Sequence, residues 1–239
     1  MAKQRGPVAS TFSGRVGNVV GAKLKGGEYV TRSYQPSVKN PNTLRQRVSR
    51  LRIATAAQIA AGLAPAIVAG YGKASGSTKM YPRNMFVREL VKMDGMGALT
   101  VQNETAEINY EVLKLSERIG ISAIPSATAE AGSQAGRIEV SIAPLPVTDV
   151  LPAGDMGAVC VAYNPVKGAC VVKMVVTSPT NDSDAAIKCP DSWSGDVVKV
   201  YAFCKFIPES KNDITTDTEP WKYPAETGET VYLGEVNVE

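Results

Sequence analysis

The residues of this sequence that could do chemistry are the lysines and arginines of its first quarter. Residues 1–52 hold eleven of the 26 basic side chains and a single acid, Glu28. Guanidinium and ammonium groups at this density can neutralise phosphates or pair with carboxylates. Eight of them are the candidate partner or nucleic-acid contacts: Arg15, Lys23, Lys25, Arg32, Arg45, Arg47, Arg50 and Arg52.

The remainder of the chain carries the opposite charge. Residues 1–100 contain sixteen basic and three acidic side chains, a net charge of +13, whereas residues 101–239 contain ten basic and twenty acidic ones, a net charge of −10. The overall charge of +3 conceals this division. The asymmetry predicts a basic arm that binds a polyanion or an acidic surface, including the C-terminal half of another copy.

Three interpretations of the basic arm stay open on sequence alone. Its side chains could neutralise the phosphates of a nucleic acid, while Tyr29 and Tyr34 stack on single-stranded bases. They could instead face acidic loops, such as residues 213–219 of another subunit. A basic run can also be a solvated surface with no partner. The charges favour an acidic partner without identifying it.

Enzyme chemistry is restricted because the chain contains no histidine. Ser-His-Asp and Cys-His nucleophile pairs, imidazole acids and bases, and zinc sites with a nitrogen ligand are all excluded. Two carboxylate pairs remain, Asp182 with Asp184 and Asp213 with Asp217, but both lie in Ser/Thr/Asn-rich stretches typical of solvated loops. We therefore predict a protein that is not an enzyme and holds no cofactor or metal.

Cysteine usage and the N-terminus predict residence in a cytoplasm. The four cysteines form no C-x-x-C pair, which favours reduced, buried thiols. The first ten residues lack the apolar core of a secretory signal.

A predicted β-hairpin over residues 16–34 would position the first basic residues. Gly26-Gly27 suits a two-residue turn that pairs Ala22 with Thr31. The Gly/Ser-rich residues before it, 10–17, are typical of an extended arm that a partner orders. The hairpin would have a charged face with Lys23, Lys25 and Arg32 around Glu28, and a docking face with Val20, Ala22, Leu24 and Tyr29.

The next basic residues are predicted to lie on a helix that begins at Asn40-Pro41. Apolar residues at helical spacing form its buried stripe: Leu44, Val48, Leu51, Thr55 and Ile59. Arg45 with Arg52, and Arg47 with Arg50, flank that stripe on two sides. Residues 53–72 carry no charge, but their eight alanines favour two small-residue helices joined near residues 62–65 over a membrane span. Pro82 opens a further helix.

From Ala98 onward the apolar periodicity changes to two, which predicts an antiparallel β-sandwich. The predicted strands are 99–101, 108–115, 137–142, 158–163, 169–176, 197–206 and 230–238. Trp193 is predicted to plug the sandwich, and the turn at residues 164–168 to bring Cys160 and Cys170 together on one face. The predicted fold class is thus α+β: an N-terminal β-hairpin arm and short helices in domain 1–97, then the sandwich in domain 98–239.

Several motifs resemble a family of uncharacterised proteins common in Bacteroidota genomes. They are FSGRVGNVVG at 12–21, KGG at 25–27, YVTRS at 29–33, NPNT at 40–43, YNPVKG at 163–168, WSGD at 193–196 and VYLGEV at 231–236. The resemblance spans almost the entire chain and implies no known activity. The chain departs from that pattern in its extra cysteines and in a longer acidic insert at about residues 211–227.

The Asn-Pro-x-Thr helix start also resembles segments of small proteins encoded among phage structural genes. This looser resemblance implies a particle component with no catalytic residues. The leading hypothesis is therefore a non-enzymatic structural protein of a phage-like particle, a homo-oligomer or a partner of other particle proteins, made in the host cytoplasm and then carried in the virion. The alternative is a cytoplasmic nucleic-acid-binding protein with a β-sandwich scaffold.

Overall fold

The computed structural model describes residues 3–4, 12–23, 29–37, 42–71, 81–92, 97–102, 104–116, 123–145, 154–208 and 227–239. The chain divides into two compact units, one of Met1–Leu44 with Ser77–Lys79 and the other of Arg45–Gly76 with Met80–Glu239. We call them unit 1 and unit 2. The predicted domains 1–97 and 98–239 remain a prediction, because compactness does not show which part folds independently.

Unit 1 is a four-stranded antiparallel sheet in the order β1-β2-β3-β4. Its strands are β1 Lys3–Gln4, β2 Phe12–Val16, β3 Val19–Lys23 and β4 Tyr29–Ser33. Gly17 turns β2 into β3 with a φ of +57°, a conformation that glycine adopts without steric cost. The predicted hairpin is therefore present as β3 and β4, and its glycines Gly26 and Gly27 lie outside the described residues.

The register of this hairpin differs from the prediction by one residue. Ala22 pairs with Val30, and Lys23 pairs with Tyr29. Because side chains alternate between the two faces of a strand, a one-residue shift moves every residue of β4 to the other face relative to β3. The predicted charged face is therefore wrong, since Lys23 and Arg32 lie on opposite faces of the sheet.

Three helices follow: α1 Leu44–Gly62, α2 Ala64–Tyr71 and α3 Pro82–Val91. The predicted break between two small-residue helices is confirmed, with a bend of 86° between α1 and α2. Proline is tolerated at the first turn of a helix because its missing N–H has no intrahelical partner there, which accounts for Pro65 in α2 and Pro82 in α3. In the part of the chain that is described, no single helix is long and apolar enough to cross a membrane, although the bent α1–α2 pair meets that test by length and composition.

Nine strands follow in the described part of unit 2. They are β5 Leu99–Gln102, β6 Thr105–Ile108, β7 Ala127–Ala131, β8 Arg137–Ile142, β9 Gly154–Asn164, β10 Ala169–Val176, β11 Ser183–Lys188, β12 Val197–Pro208 and β13 Val231–Asn237. A four-stranded sheet, β10-β9-β12-β13, and a three-stranded sheet, β11-β8-β7, form the sandwich, while β5 and β6 pair separately. The fold is α+β and rich in antiparallel sheet, as predicted.

Two hydrophobic cores lie on either side of the four-stranded sheet. One core lies between the two sheets, where Cys160 of β9 and Val200 of β12 pack with Ile138 of β8. The other lies between the same sheet and the helices, where Val161 and Phe203 pack with Phe86 of α3. Burial on both faces explains why β9 and β12 read as nearly continuous apolar runs. Trp193 is buried in the sandwich core, which confirms its predicted role.

Some strand predictions are wrong. Residues 109–115 form turns and irregular structure rather than a strand, and β7 and β11 lay outside the predicted set. The sequences of these two strands, ATAEA and SDAAIK, are rich in Ala, Ser and Asp, which have low β-propensity. Pairing with β8 on both sides explains why they are strands nonetheless.

Cys160 and Cys170 lie on opposite faces of the sheet, which corrects the prediction that they share one. Cys170 pairs with Tyr163, three residues from Cys160 on the same strand, and an odd spacing along a strand reverses the face. All four cysteines are free thiols, and three of them, including Cys160, are fully buried. Burial raises the pKa of Cys160 to about 12, so its reactive thiolate is scarce at neutral pH.

Candidate functional site

The predicted contact residues are divided between the two units. The sheet of unit 1 carries Arg15, Lys23 and Arg32, and helix α1 carries Arg45, Arg47, Arg50 and Arg52. Lys25 lies outside the described residues. That they form one basic surface stays a prediction.

The first surface is one face of the unit 1 sheet, which we call the Arg15–Arg32 face. Arg15 pairs with Val20 and Val20 pairs with Arg32, so all three side chains project to the same side. Two strand spacings separate the arginines, or roughly 10 Å. Within the described residues, no carboxylate forms an ion pair with either guanidinium. Both arginines therefore remain exposed and unneutralised on this face.

Arg15 is held in place by two contacts. Its Nε donates a hydrogen bond of 3.0 Å to the carbonyl oxygen of Gly17, and its guanidinium lies 3.5 Å above the centre of the Tyr34 ring. Tyr34 is itself anchored, because its backbone N–H donates to the carbonyl of Asn18 at 2.6 Å. A stacked guanidinium keeps its in-plane N–H groups directed outward, where an anion can accept from them.

A cavity of about 480 Å³ opens beside this face. It is lined by Val20, Arg32, Ser33, Tyr34 and Gln35. Its volume lies in the range of pockets that bind small molecules, about 300–1,000 Å³. The side chains of Arg32, Ser33 and Gln35 make no hydrogen bond with any other described residue, so their polar atoms face the cavity or solvent.

The sequence predicted a binding role for only some of the residues that line this cavity. Tyr34 was expected to stack on a base, but Ser33 and Gln35 went unnoticed because single polar residues at a strand end carry no distinctive pattern. Lys23 lies on the other face, where its ammonium is 5.6 Å from the ring centre of Tyr29. The structure thus brings Arg15, Arg32 and Tyr34 together and leaves Lys23 and Tyr29 apart from them.

The second surface is the N-terminal half of α1. Arg45, Arg47 and Arg50 are exposed, and Arg47 forms an ion pair of 2.9 Å with Glu104. Arg52 is half-buried and its Nε has no hydrogen-bond partner. Ile53 is 53% exposed beside these arginines. This half of α1 therefore combines positive charge with apolar surface.

The predicted buried stripe of α1 is largely present. Val48, Leu51 and Ile59 pack against the helix-side core, while Leu44 at the start of the helix is 58% exposed. Fully buried residues of the helix begin at Ala56. Its first three turns therefore keep exposed apolar side chains, those of Leu44 and Ile53, beside the partly buried Val48 and Leu51.

The unit 1 sheet buries little of the part whose side-chain burial is described, residues 13–23 and 29–37. Within these residues only Gly21 is buried, whereas Val16, Val19 and Val30 are exposed. Apolar burial supplies most of the stability of a sheet, and small sheets with a solvated surface on both sides are marginal in water. A partner that covers either face would supply the missing burial.

Unit 2 contains a buried lysine, Lys205 of β12, whose side chain contacts the C-terminal end of helix α2. Lys205 is 1% exposed, and its Nζ donates to the carbonyl of Ala69 at 3.2 Å, while Thr227 Oγ1 donates to the next carbonyl, that of Gly70. Both carbonyls belong to the last turn of α2, which lacks intrahelical donors. Desolvation lowers the pKa of Lys205 to about 8. Its burial makes it a structural cap rather than a ligand contact.

Neither predicted carboxylate pair forms a described acidic site. Asp182 and Asp184 are both exposed, and Asp184 lies on β11 rather than in a loop, which corrects the prediction. Asp213 and Asp217 lie outside the described residues. No group of three or more cysteine, aspartate or glutamate side chains among the described residues could hold a metal ion.

Comparison with known sequences identifies one family. Residues 11–217 match the profile described as a family of unknown function, DUF6266. No curated protein and no solved structure matches the chain significantly.

Proposed function

We propose that this chain, which belongs to the family of unknown function DUF6266, is a non-enzymatic assembly protein. It binds an acidic surface, on neighbouring copies or on other particle proteins, through its basic N-terminal region. The observation that carries the proposal is the unit 1 sheet, where the described residues expose three valines and two unpaired arginines, Arg15 and Arg32. Such a sheet is best completed by burial against another molecule.

The charge division supports contact between copies. Residues 101–239 carry a net charge of −10 and residues 1–100 a net charge of +13. Unlike surfaces on one chain favour head-to-tail contacts, which repeat into rings or filaments. The exposed Ile53 beside Arg50 gives α1 the mixture of apolar and cationic groups found at the centres of protein interfaces.

A component of a phage or prophage particle is the most specific form of this proposal. It is supported by the resemblance of the Asn-Pro-x-Thr helix start to phage structural proteins and by the basic arm, which suits a particle built from repeated contacts. Portal, capsid or tail genes beside the gene for this chain would support it, and a setting among metabolic genes would count against it.

Self-association should be sensitive to salt. In light scattering after size exclusion, we expect oligomers of the 25.3 kDa chain at low ionic strength and a mass near that of the monomer at about 1 M salt, where the screening length falls to about 3 Å. The double variant Arg45→Gln/Arg50→Gln should weaken the association by roughly tenfold, because it removes two exposed cations from α1.

The matched control for this experiment is Lys173→Gln/Lys188→Gln. It removes the same number of exposed positive charges, but from β10 and β11 of the sandwich. It should leave the association at least as strong as in the wild type. A protein that stays monomeric at low salt and high concentration would contradict the proposal.

Nucleic-acid binding is the second candidate function. The stacking of Arg15 on Tyr34 and the exposed arginines of α1 favour it, since both contact phosphates without reading base sequence. Arg45→Ala/Arg50→Ala should then weaken retention on DNA about equally for unrelated sequences, measured by binding titrations at several salt concentrations. Unchanged retention would reject a role for α1 in that binding.

A further inference from the structure

We infer that the cavity beside the Arg15–Arg32 face binds one nucleotide of a single-stranded nucleic acid. This rests on the second candidate function, nucleic-acid binding, and deepens it by naming the site and the form of nucleic acid that it takes. The inference rests on three features that occur together: two unpaired guanidiniums, an anchored aromatic ring, and a cavity with unpartnered polar side chains.

The phosphate would be bound by the guanidiniums. Arg32 lines the cavity, and Arg15 lies above the ring of Tyr34, which also lines it. The two arginines lie on either side of Val20, roughly 10 Å apart across three strands, so both can face consecutive phosphates of an extended strand. Arginine is favoured for such contacts because its planar fork matches two phosphate oxygens.

The base would pack in the cavity. Val20 and Tyr34 supply apolar and aromatic surface, and base stacking on an aromatic side chain tolerates any base. Gln35 supplies an amide that no described residue uses, and this amide would contact the polar edge of a base. An acidic peptide would satisfy the arginines but would leave this apolar and amide-lined cavity unfilled, so the cavity favours a nucleotide.

A single strand is favoured over a duplex because the base must enter the cavity. In a duplex the bases are stacked and paired, and unstacking one costs a few kcal/mol. Affinity for a single strand should therefore exceed affinity for a duplex of the same length under the same conditions.

The test is fluorescence anisotropy of a labelled ten-residue oligothymidylate titrated with the full chain at several salt concentrations. Arg32→Gln and Arg15→Gln should each weaken binding by roughly tenfold and reduce the salt slope by about 0.7, the contribution of one phosphate contact on a single strand. Tyr34→Leu should weaken binding about 5- to 150-fold with little change in the salt slope, because it removes stacking rather than charge.

Two variants control for charge and folding. Lys23→Gln removes one positive charge from the opposite face of the same sheet, so binding should change by less than about threefold once salt screens distant charges. Tyr34→Phe keeps the ring under Arg15 and should bind within about twofold of the wild type. Equal losses in Lys23→Gln and Arg32→Gln would overturn the site, since they would show a diffuse electrostatic effect.

Competitors identify what the cavity recognises. Thymidine monophosphate should compete weakly, and inorganic phosphate at equal ionic strength should not compete. A poly-glutamate of similar charge that competes as well as the oligothymidylate would overturn the inference in favour of an acidic peptide. A duplex that binds more tightly than the single strand would also overturn it.

A crosslinking experiment on the unaltered chain keeps the inference testable even if Tyr34→Leu does not fold. An oligonucleotide that contains 4-thiothymidine should crosslink under near-ultraviolet light to the tryptic peptide of residues 33–39, which carries Ser33, Tyr34 and Gln35. Crosslinks confined to peptides of α1 or of the sandwich would overturn the assignment of the cavity.

Discussion

Replacing Lys205 by methionine should remove a rise in stability that the wild-type protein shows between about pH 8 and pH 10.5. Desolvation lowers the pKa of Lys205 to about 8 in the folded protein, against 10.5 for a lysine side chain in water. Between these two values the unfolded chain binds the proton more readily than the folded one. The free energy of unfolding therefore increases with pH across this window.

The expected size follows from the shift. A difference of one pKa unit corresponds to 1.36 kcal/mol, so burial of the charged lysine costs about 3 kcal/mol below pH 8, and this cost disappears above pH 10.5. Buried thiols act in the opposite direction, because burial raises the pKa of Cys160 and Cys204 to about 12 and that of Cys170 to about 11. The thiols are present in both proteins, so the difference in unfolding free energy between wild type and Lys205→Met reports the effect of the lysine alone.

The measurement is urea unfolding of wild type and Lys205→Met at pH 7, 8, 9 and 10. The advantage of the variant should be largest at pH 7 and should shrink by about 3 kcal/mol toward pH 10.5. Thr227→Val is the matched control, since it removes a neighbouring donor to the last turn of α2 without removing a titrating group. Its cost, about 1 kcal/mol, should be the same at every pH. If the free energies of unfolding of Lys205→Met and wild type changed with pH in parallel, the prediction would be contradicted.

Replacing Gly70 by alanine should destabilise the protein by about 2 kcal/mol or more. A methyl group at Gly70 would lie 2.8 Å from the carbonyl carbon of Leu115 and closer still to its oxygen. That backbone is fixed, because the N–H groups of Leu115 and Ser116 donate to Thr230 Oγ1 at 2.9 and 3.0 Å. Overpacking of this kind typically costs 1–3 kcal/mol.

Helix propensity alone predicts the opposite sign. Alanine is favoured over glycine in a helix interior by about 1 kcal/mol. Thermal and urea unfolding of Gly70→Ala therefore distinguish the two effects, and a more stable variant would show that α2 does not approach Leu115 so closely. Val68→Ala, at an exposed position of the same helix, is the control and should lie within about 0.5 kcal/mol of the wild type.

The substitution Gly62→Ala should destabilise the protein less than Gly70→Ala does. A methyl group there would meet the carbonyl of Gly168, which lies in the exposed turn between β9 and β10. This turn can shift more easily than the anchored backbone at Leu115. The substitution should therefore cost less than Gly70→Ala, and an equal or greater cost would show that the hairpin turn is as rigid as the backbone at Leu115.

The sequence by itself determined the large features of this protein. The change of apolar periodicity at Ala98 separated helices from strands, and it predicted strands at 158–163 and 197–206, within β9 and β12. Pro82 marked the start of α3, and the alanine-rich residues 53–72 indicated two closely packed helices. Counting charged residues also showed that residues 1–100 are basic and residues 101–239 are acidic. These features depend on local propensity and on hydrophobic pattern, which a sequence carries in full.

Only the tertiary structure decided which residues meet. The one-residue register of β3 against β4 placed Arg15 and Arg32 together and moved Lys23 away, because pairing, and not composition, sets the face of each side chain. The same rule separated Cys160 from Cys170. Pairing with β8 made strands of sequences with little β-propensity, and the approach of β12 to α2 buried Lys205. Contacts between residues far apart in the chain are set by packing, and a single sequence does not display them.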